Sequence, residues 1–238
     1  MSATVLHFEL PGGGRALFTT RAEGSFAPAP APAPAPAPGD GASSMATANS
    51  AGARALALTG AQRLARGRQV HGTSVRRVRS LPVEELPAEP ADGQATGLQA
   101  TALMVVSADC LPVALGSEGA VAMLHAGWRG LAAGVLEEGV RALRELAGGQ
   151  GEEMGAVIGP GAGPCCYEVG PEVRAAFGAG PARSSTLDLR ALAQERLAAA
   201  GVPDVRVLEL CTICDERFYS HRREGERAGR QAGLAWLS

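Results

Sequence analysis

The 238-residue chain is 46% hydrophobic and carries a formal net charge of -2, which is enough apolar content for one large folded domain with a sizeable core. That near-neutral balance argues against a nucleic-acid binder working by phosphate neutralisation, and no apolar run is long enough to cross a bilayer as a helix. The five cysteines are an odd number at irregular positions. They argue against a disulfide framework and, with no secretory signal pattern in MSATVLHFEL, lead to the expectation of reduced thiols in the cytoplasm.

Alternation over VLHFEL (Val5 to Leu10) predicts a strand, PGGG a turn, and RALFTTR (Arg15 to Arg21) its hairpin partner. The Ala-Pro repeat from Ala27 to Pro38 lacks donors at its prolines and predicts an extended polyproline II spacer. The small polar residues from Gly39 to Ser50 have little to bury, so residues 27–50 read together as a flexible insert. Weak helical character follows from Ala51 to Leu58. Between Leu64 and Arg79 the pattern predicts two short strands with His71 and Gly72 between them, and prolines and acids from Leu81 to Pro90 predict a surface loop. The segment from Asp92 to Leu98 leads into the centre of the chain.

There, TALMVV (Thr101 to Val106) predicts a buried strand that delivers Asp109 and Cys110 to a turn. After a short Gly-rich reversal, AVAML (Ala120 to Leu124) predicts a second strand that delivers His125, Trp128 and Arg129 to another turn. One amphipathic helix is expected from Gly130 to about Ala147, with Leu131, Val135, Leu136, Val140, Leu143 and Leu146 on one face and Gly148 and Gly149 stopping it. MGAVI (Met154 to Ile158) reads as a third strand. A second amphipathic helix spans Leu187 to Ala200 and is closed by Gly201. VRVLEL (Val205 to Leu210) predicts another strand, and the apolar Leu234 to Leu237 closes the chain.

Reactive side chains therefore gather at the ends of buried strands, where a rigid scaffold can present them. A core has no use for a Cys, His, Asp and Arg set, and a catalytic pocket does. A lone His at a strand end is more often a structural residue, so His71 gains weight only from what it meets in space, and His7 reads as structural.

Five motifs, QVHG (Gln69 to Gly72), ADCLPV (Ala108 to Val113), HAGWRG (His125 to Gly130), IGPGAGPCCYEVG (Ile158 to Gly170) and CTICDERFYSHRREGERAGRQAG (Cys211 to Gly233), resemble in order those of the laccase-domain family. That family was first labelled multicopper polyphenol oxidoreductase and is also called peptidoglycan editing factor; its members are regarded as zinc-dependent purine nucleoside enzymes. The resemblance implies a single α+β domain over residues 1–238, with two packed mixed β-sheets flanked by helices in αββα layers. It implies zinc bound by His71, Cys110 and His125, a donor set that leaves a fourth position open, as catalytic zinc requires.

It further implies phosphorolysis of adenosine, inosine, guanosine and methylthioadenosine, with adenosine deamination as a second activity. Phosphorolysis needs a cationic cradle, and the planar Arg fork binds phosphate oxygens in pairs; Arg129, Arg222 and Arg223 are the candidates. Deamination needs an activated water at purine C6 and a carboxylate that shuttles protons. Asp109 is the nearest in sequence, and it stands either there or in support of the ligands. His221 lines or supports the site. Purine nucleosides and phosphate are thus the expected partners, with no nucleic acid and no membrane.

Cys110 with His125 also suits a nucleophile and base pair, and the fold that the resemblance implies is shared with cysteine-dependent toxin deamidases; zinc is preferred because His71 joins the pair only in a metal site. A cytoplasmic factor that edits cell-wall precursors is the alternative from another class. Copper-dependent phenol oxidation ranks last, since a laccase needs many His ligands and the chain has four His. Cys165, Cys166, Cys211 and Cys214 are poorly spaced for a four-thiolate zinc and are expected to pack beneath the pocket. The N-terminal third departs from the family, whose members carry a Gly-Val-Ser stretch and a Ser-Leu-Asn-Leu-Gly loop where this chain has its Ala-Pro repeat. If that loop covers the nucleoside, substrate choice turns on it.

Overall fold

Strands that read as unbroken apolar runs have to be covered on both faces, and this requirement organises the chain. The computed structural model describes residues 5–27, 50–80, 89–148, 153–178 and 185–238. The strands are β1 (Val5–Leu10), β2 (Gly14–Thr19), β3 (Arg63–Arg66), β4 (Val75–Val78), β5 (Gly93–Thr96), β6 (Thr101–Ser107), β7 (Leu111–Ser117), β8 (Ala120–Ala126), β9 (Gly155–Ile158), β10 (Asp204–Val207) and β11 (Gln231–Leu237). They form a five-stranded sheet in the order β1-β2-β11-β6-β3 and a six-stranded sheet in the order β10-β9-β7-β8-β5-β4. Both sheets are mixed: β3 runs parallel to β6, and β4 to β5 and β10 to β9, while the remaining pairs are antiparallel.

Successive strand residues serve different cores because side chains alternate across a sheet. Leu103 and Val105 of β6 pack between the sheets with Phe18, Ala114, Met123 and Val157. Met104, between them, faces outward with Leu17, Leu234 and Trp236, under helix α1 (Ala51–Thr59) and Phe26. Val113, Leu115 and Leu124 face the other way, under α3 (Val135–Leu146) and α5 (Leu189–Ala199). The result is the α+β, αββα layering expected. Leu124 is fully buried, so its truncation to Ala should cost about 2–5 kcal/mol.

The expected hairpin forms with register Val5 opposite Thr19. Two expectations need correction, and one helix went unpredicted. The reversal between the two central strands is itself a strand, β7, which lies between β9 and β8 at the middle of its sheet. Pro112 and Gly116 disguise it, since proline rarely enters a central strand. Here Pro112 takes the second position, just before the Val113–Gly116 stretch paired with β9. The expected single helix from Gly130 is two: α2 (Trp128–Ala133) ends where Gly134 adopts φ 103°, and α3 starts afresh. A short helix α4 (Pro171–Ala176) lies between β9 and α5, with Pro171 in its first turn, where a missing N–H costs nothing.

The Ala-Pro spacer and polar insert lie outside the described residues except at their ends, Ala27 and Ser50; Ser50 caps α1 by accepting from Ala53 N at 3.1 Å. Residues 81–88 of the loop expected from Leu81 to Pro90, and the stop at Gly149, also lie outside them. No helix among the described residues is long and apolar enough to cross a membrane.

Candidate metal centre and cavity

The site begins with a carboxylate. Asp92 directly precedes β5 and is fully buried. Its two oxygens accept the backbone N–H groups of Val70 (3.1 Å), His71 (2.9 Å) and Gly72 (2.7 Å), which fold the QVHG loop around it. Gln69 fastens the same loop to β6 by exchanging two hydrogen bonds with the Val106 backbone, at 2.7 and 2.8 Å. His71 thereby holds φ 60°, a left-handed conformation that a non-glycine residue keeps only under such constraint.

Asp92 also receives the ring of His125, with Nδ1 to Oδ1 at 2.8 Å. That bond fixes the tautomer and leaves Nε2 to the other side of the ring. Cys110, at the turn into β7, places Sγ 3.9 Å from His71 Nε2. The ligand atoms of His71, Cys110 and His125 all lie within 4.8 Å of one another. A tetrahedral ion with bonds of 2.0–2.3 Å sets its ligand atoms about 3.3–3.8 Å apart. The triad thus fits a metal with little movement, and these are the residues that could hold one.

The electrostatics agree with that use. Burial would raise Asp92, but the hydrogen bond from His125 and the N–H groups of Gly72 and Val70 outweigh it and hold the carboxyl below its ordinary range. Burial likewise opposes charge on Cys110 and His125. Their attraction for each other, with the His71 bond to the thiol and the Asp92 bond to the imidazole, brings Cys110 down to about 6 and His125 up to about 9.

The triad opens into a cavity of about 820 Å³, lined among others by Phe26, Arg66, Arg68, Gln69, Asp109, Trp128, Tyr167, His221, Arg222 and Arg230. Asp109 also adopts a left-handed φ, 93°. Its Oδ1 accepts from Thr212 Oγ1 at 2.7 Å and its Oδ2 from Arg222 N at 2.8 Å, so both oxygens are engaged in bracing the C-terminal loop. Arg222 places its guanidinium over the Tyr167 ring, 5.1 Å from the centroid. Arg129 is exposed, stacks on Trp128 at 4.4 Å, and does not line the cavity. Arg223 is turned to structure: it donates to the carbonyls of Thr212, Ile213 and Phe218 and to Glu224.

The cysteines of the fourth and fifth motifs do not all pack beneath the pocket. Cys211 is buried, but Cys165 and Cys214 are exposed, because both sit on surface turns. All five cysteines are free.

Residues 15–238 match the family described as multi-copper polyphenol oxidoreductase laccase. The chain belongs to that family. Relatives within it include a Xylella fastidiosa protein named purine nucleoside phosphorylase, 46% identical over 190 residues that cover 71% of this chain and 70% of the relative. A Pseudomonas aeruginosa protein of the same name is 41% identical over 184 residues, covering 71% and 72%. Among solved structures, a Neisseria meningitidis protein superposes with a TM-score of 0.75 at 28% identity, covering 99% of this chain and all of that one. The protein YlmD of Geobacillus stearothermophilus gives 0.72 at 27% identity, covering 94% and 92%. The family's laccase label names copper, yet the site described here has two imidazoles and one thiolate around a single position.

Asp92 escaped the sequence reading, as did the arginines Arg66, Arg68 and Arg230. The signal for Asp92 was an acid opening a short segment that the structure buries completely. No periodicity marks the arginines: Arg66 closes β3 and Arg68 follows it two residues later, while Arg230 directly precedes β11.

Proposed function

We propose that this chain is a zinc-dependent purine nucleoside phosphorylase acting on adenosine, inosine, guanosine and methylthioadenosine, with adenosine deamination as a second activity. The observation that carries this reading is the joining of a three-ligand site, His71, Cys110 and His125, to a cavity lined by both aromatic rings and arginines. The name purine nucleoside phosphorylase, carried by the relatives, supports the phosphorolysis part of this reading. Two nitrogens and a thiolate favour zinc over a multicopper centre, which needs many more imidazoles.

The division of labour follows from the lining. Trp128, Tyr167 and Phe26 supply flat apolar surface for a purine, and Arg222 supplies the fork for phosphate. Asp109 positions Arg222 through its backbone N–H, and Asp92 keeps His125 in one tautomer and one orientation. Phosphorolysis replaces the C1′–N9 bond of the nucleoside with a C1′–O bond to phosphate, so cation and purine platform have to face one ribose from two sides. A zinc ion held by the triad supplies Lewis acidity at the cavity wall when bound.

A second reading rests on the same geometry. Asp92, His125 and Cys110 form an acid, base and thiol array, the arrangement of a cysteine hydrolase. Chelation separates the two, because a thiol nucleophile works without metal.

The deciding experiment is to incubate zinc-loaded protein with adenosine, with and without phosphate, and to follow adenine and inosine by chromatography. Adenine formed only with phosphate supports phosphorolysis, and inosine in either mixture supports deamination. Neither product from folded, zinc-loaded protein overturns the proposal, and activity that survives complete metal removal transfers it to the cysteine mechanism.

A further inference from the structure

Four cysteines stand apart from the cavity on two loops. Cys165 and Cys166 lie in the turn that follows Gly163, where Cys166 N and Tyr167 N both donate to Gly163 O, at 3.0 and 2.9 Å. Cys211 and Cys214 lie in the turn after β10, closed by Asp215 N donating to Cys211 O at 3.0 Å. The four Sγ atoms all lie within 4.8 Å of one another, and Cys165 Sγ is 3.8 Å from Cys214 Sγ.

That spacing has a chemical meaning. A tetrahedral zinc with Zn–S bonds near 2.3 Å holds its sulfurs about 3.8 Å apart along each edge, whereas a disulfide needs about 2.0 Å. Packing does not explain the cluster either, because Cys165 and Cys214 are exposed and a thiol used as a small apolar group belongs in the interior. Gly163 N donates to Cys211 Sγ at 3.2 Å, a hydrogen bond that favours the thiolate form that a metal requires. The sequence concealed the set: an adjacent pair and one C-x-x-C are poor spacing when read along the chain, and the fold supplies the missing proximity.

We propose that Cys165, Cys166, Cys211 and Cys214 bind a second zinc ion, a closed structural site distinct from the cavity. Each thiol gives its proton to solvent as its sulfur bonds the ion, so no oxidant or reductant takes part. Four protein ligands leave no position for substrate. The ion clips the turn at residues 163–167 to the turn at residues 211–215. Tyr167 reaches the cavity from the first turn, and Thr212 holds Asp109 from the second. The clip therefore sets the distance between two cavity walls without touching what lies between them.

The test uses the whole chain, purified under reducing conditions, loaded with zinc alone and assayed for bound metal by mass spectrometry. The unaltered protein should hold two equivalents. The Cys165→Ser/Cys214→Ser variant should hold one and melt at a lower temperature. The His71→Ala/His125→Ala variant should also hold one, and with Co2+ in place of zinc it should show the intense charge-transfer bands of an all-sulfur site. That last measurement leaves the four cysteines intact, so misfolding of a cysteine variant cannot mimic it, and it is independent of the nucleoside chemistry. If the folded His71→Ala/His125→Ala variant binds neither zinc nor Co2+, the proposal is wrong. It is equally wrong if the cysteine variant keeps the full metal content, or if the four cysteines of the freshly reduced, zinc-exposed chain reform disulfides rather than take up metal.

Discussion

Asp92 binds the backbone of His71 and the ring of His125 through the same oxygen, Oδ1, at 2.9 and 2.8 Å. Two of the three proposed ligands thus share one anchor. Replacing Asp92 with Asn should weaken zinc binding by about 10- to 100-fold, the usual effect of losing the partner of a ligating histidine. Competition against a chelating indicator dye would measure it, and an unchanged affinity would remove Asp92 from the site.

Gly127 tests the same centre from the other side. A Cβ there would lie 2.9 Å from His71 Cδ2 and 3.0 Å from Cys110 Sγ. Its φ of -69° suits any residue, so Gly127→Ala adds no backbone strain and acts through the ligands. Turnover should fall by roughly 10- to 100-fold, as displaced catalytic groups do, with little change in melting temperature. A melting temperature that drops while turnover per folded molecule holds would show that the ligands tolerate the methyl group.

Arg222 and Arg223 are neighbours in different surroundings: Arg222 lines the cavity, stacked on Tyr167 and donating to Glu168 O at 2.9 Å, whereas Arg223 is bound into the C-terminal loop. Arg222→Ala should raise the KM for phosphate with little effect on stability. Arg223→Ala strips partners from three carbonyls, those of Thr212, Ile213 and Phe218. It should cost about 1–3 kcal/mol, which is about 2–4 °C of melting temperature for each kcal/mol in a chain of this size. Steady-state kinetics and thermal melts on the pair would expose an interchange of the two roles.

Glu224 gives the fold an acid sensitivity. Burial would raise its carboxyl, but hydrogen bonds from Arg223 and Arg21 outweigh this and place it below the ordinary 4.5. A carboxyl depressed in the folded state stabilises the protein where it is ionised, and that contribution disappears as pH falls through its folded pKa. Glu224→Gln should therefore lower the melting temperature by a constant amount near neutrality, worth about 1 kcal/mol or less for a partly exposed pair. The gap between variant and parent should shrink as the pH falls below the ordinary 4.5 and the carboxyl takes up its proton. A gap that stays constant down to pH 3 would exclude the ion pair as its source.

What the chain revealed in advance depended on how local each signal was. The hairpin at Val5–Thr19 and the strand at Thr101–Ser107 were legible because hydrophobic pattern and turn residues agree there. His71, Cys110 and His125 were legible through motif resemblance, and the structure brings them together from three separated segments. Strand β7 was hidden because Pro112 and Gly116 contradict strand propensity, and pairing on both sides overrides it. Asp92 was hidden because its role lies in bonds to residues 20 to 33 positions away. Arg129, chosen for its nearness to His125 in sequence, sits in the first turn of α2 and stacks on Trp128, a ring that lines the cavity.

The position of β11 bears on the order in which the molecule can assemble. Its residues 231–237 separate β2 from β6, so the hairpin Val5–Thr19 has no further strand to pair with until this one is available. Closing that sheet joins segments more than two hundred positions apart, a long-range step that is slow for any chain. On the ribosome, β2 and β6 would both wait with a hydrogen-bonding edge exposed, and removal of the last strand would leave two half-sheets instead of one shortened sheet.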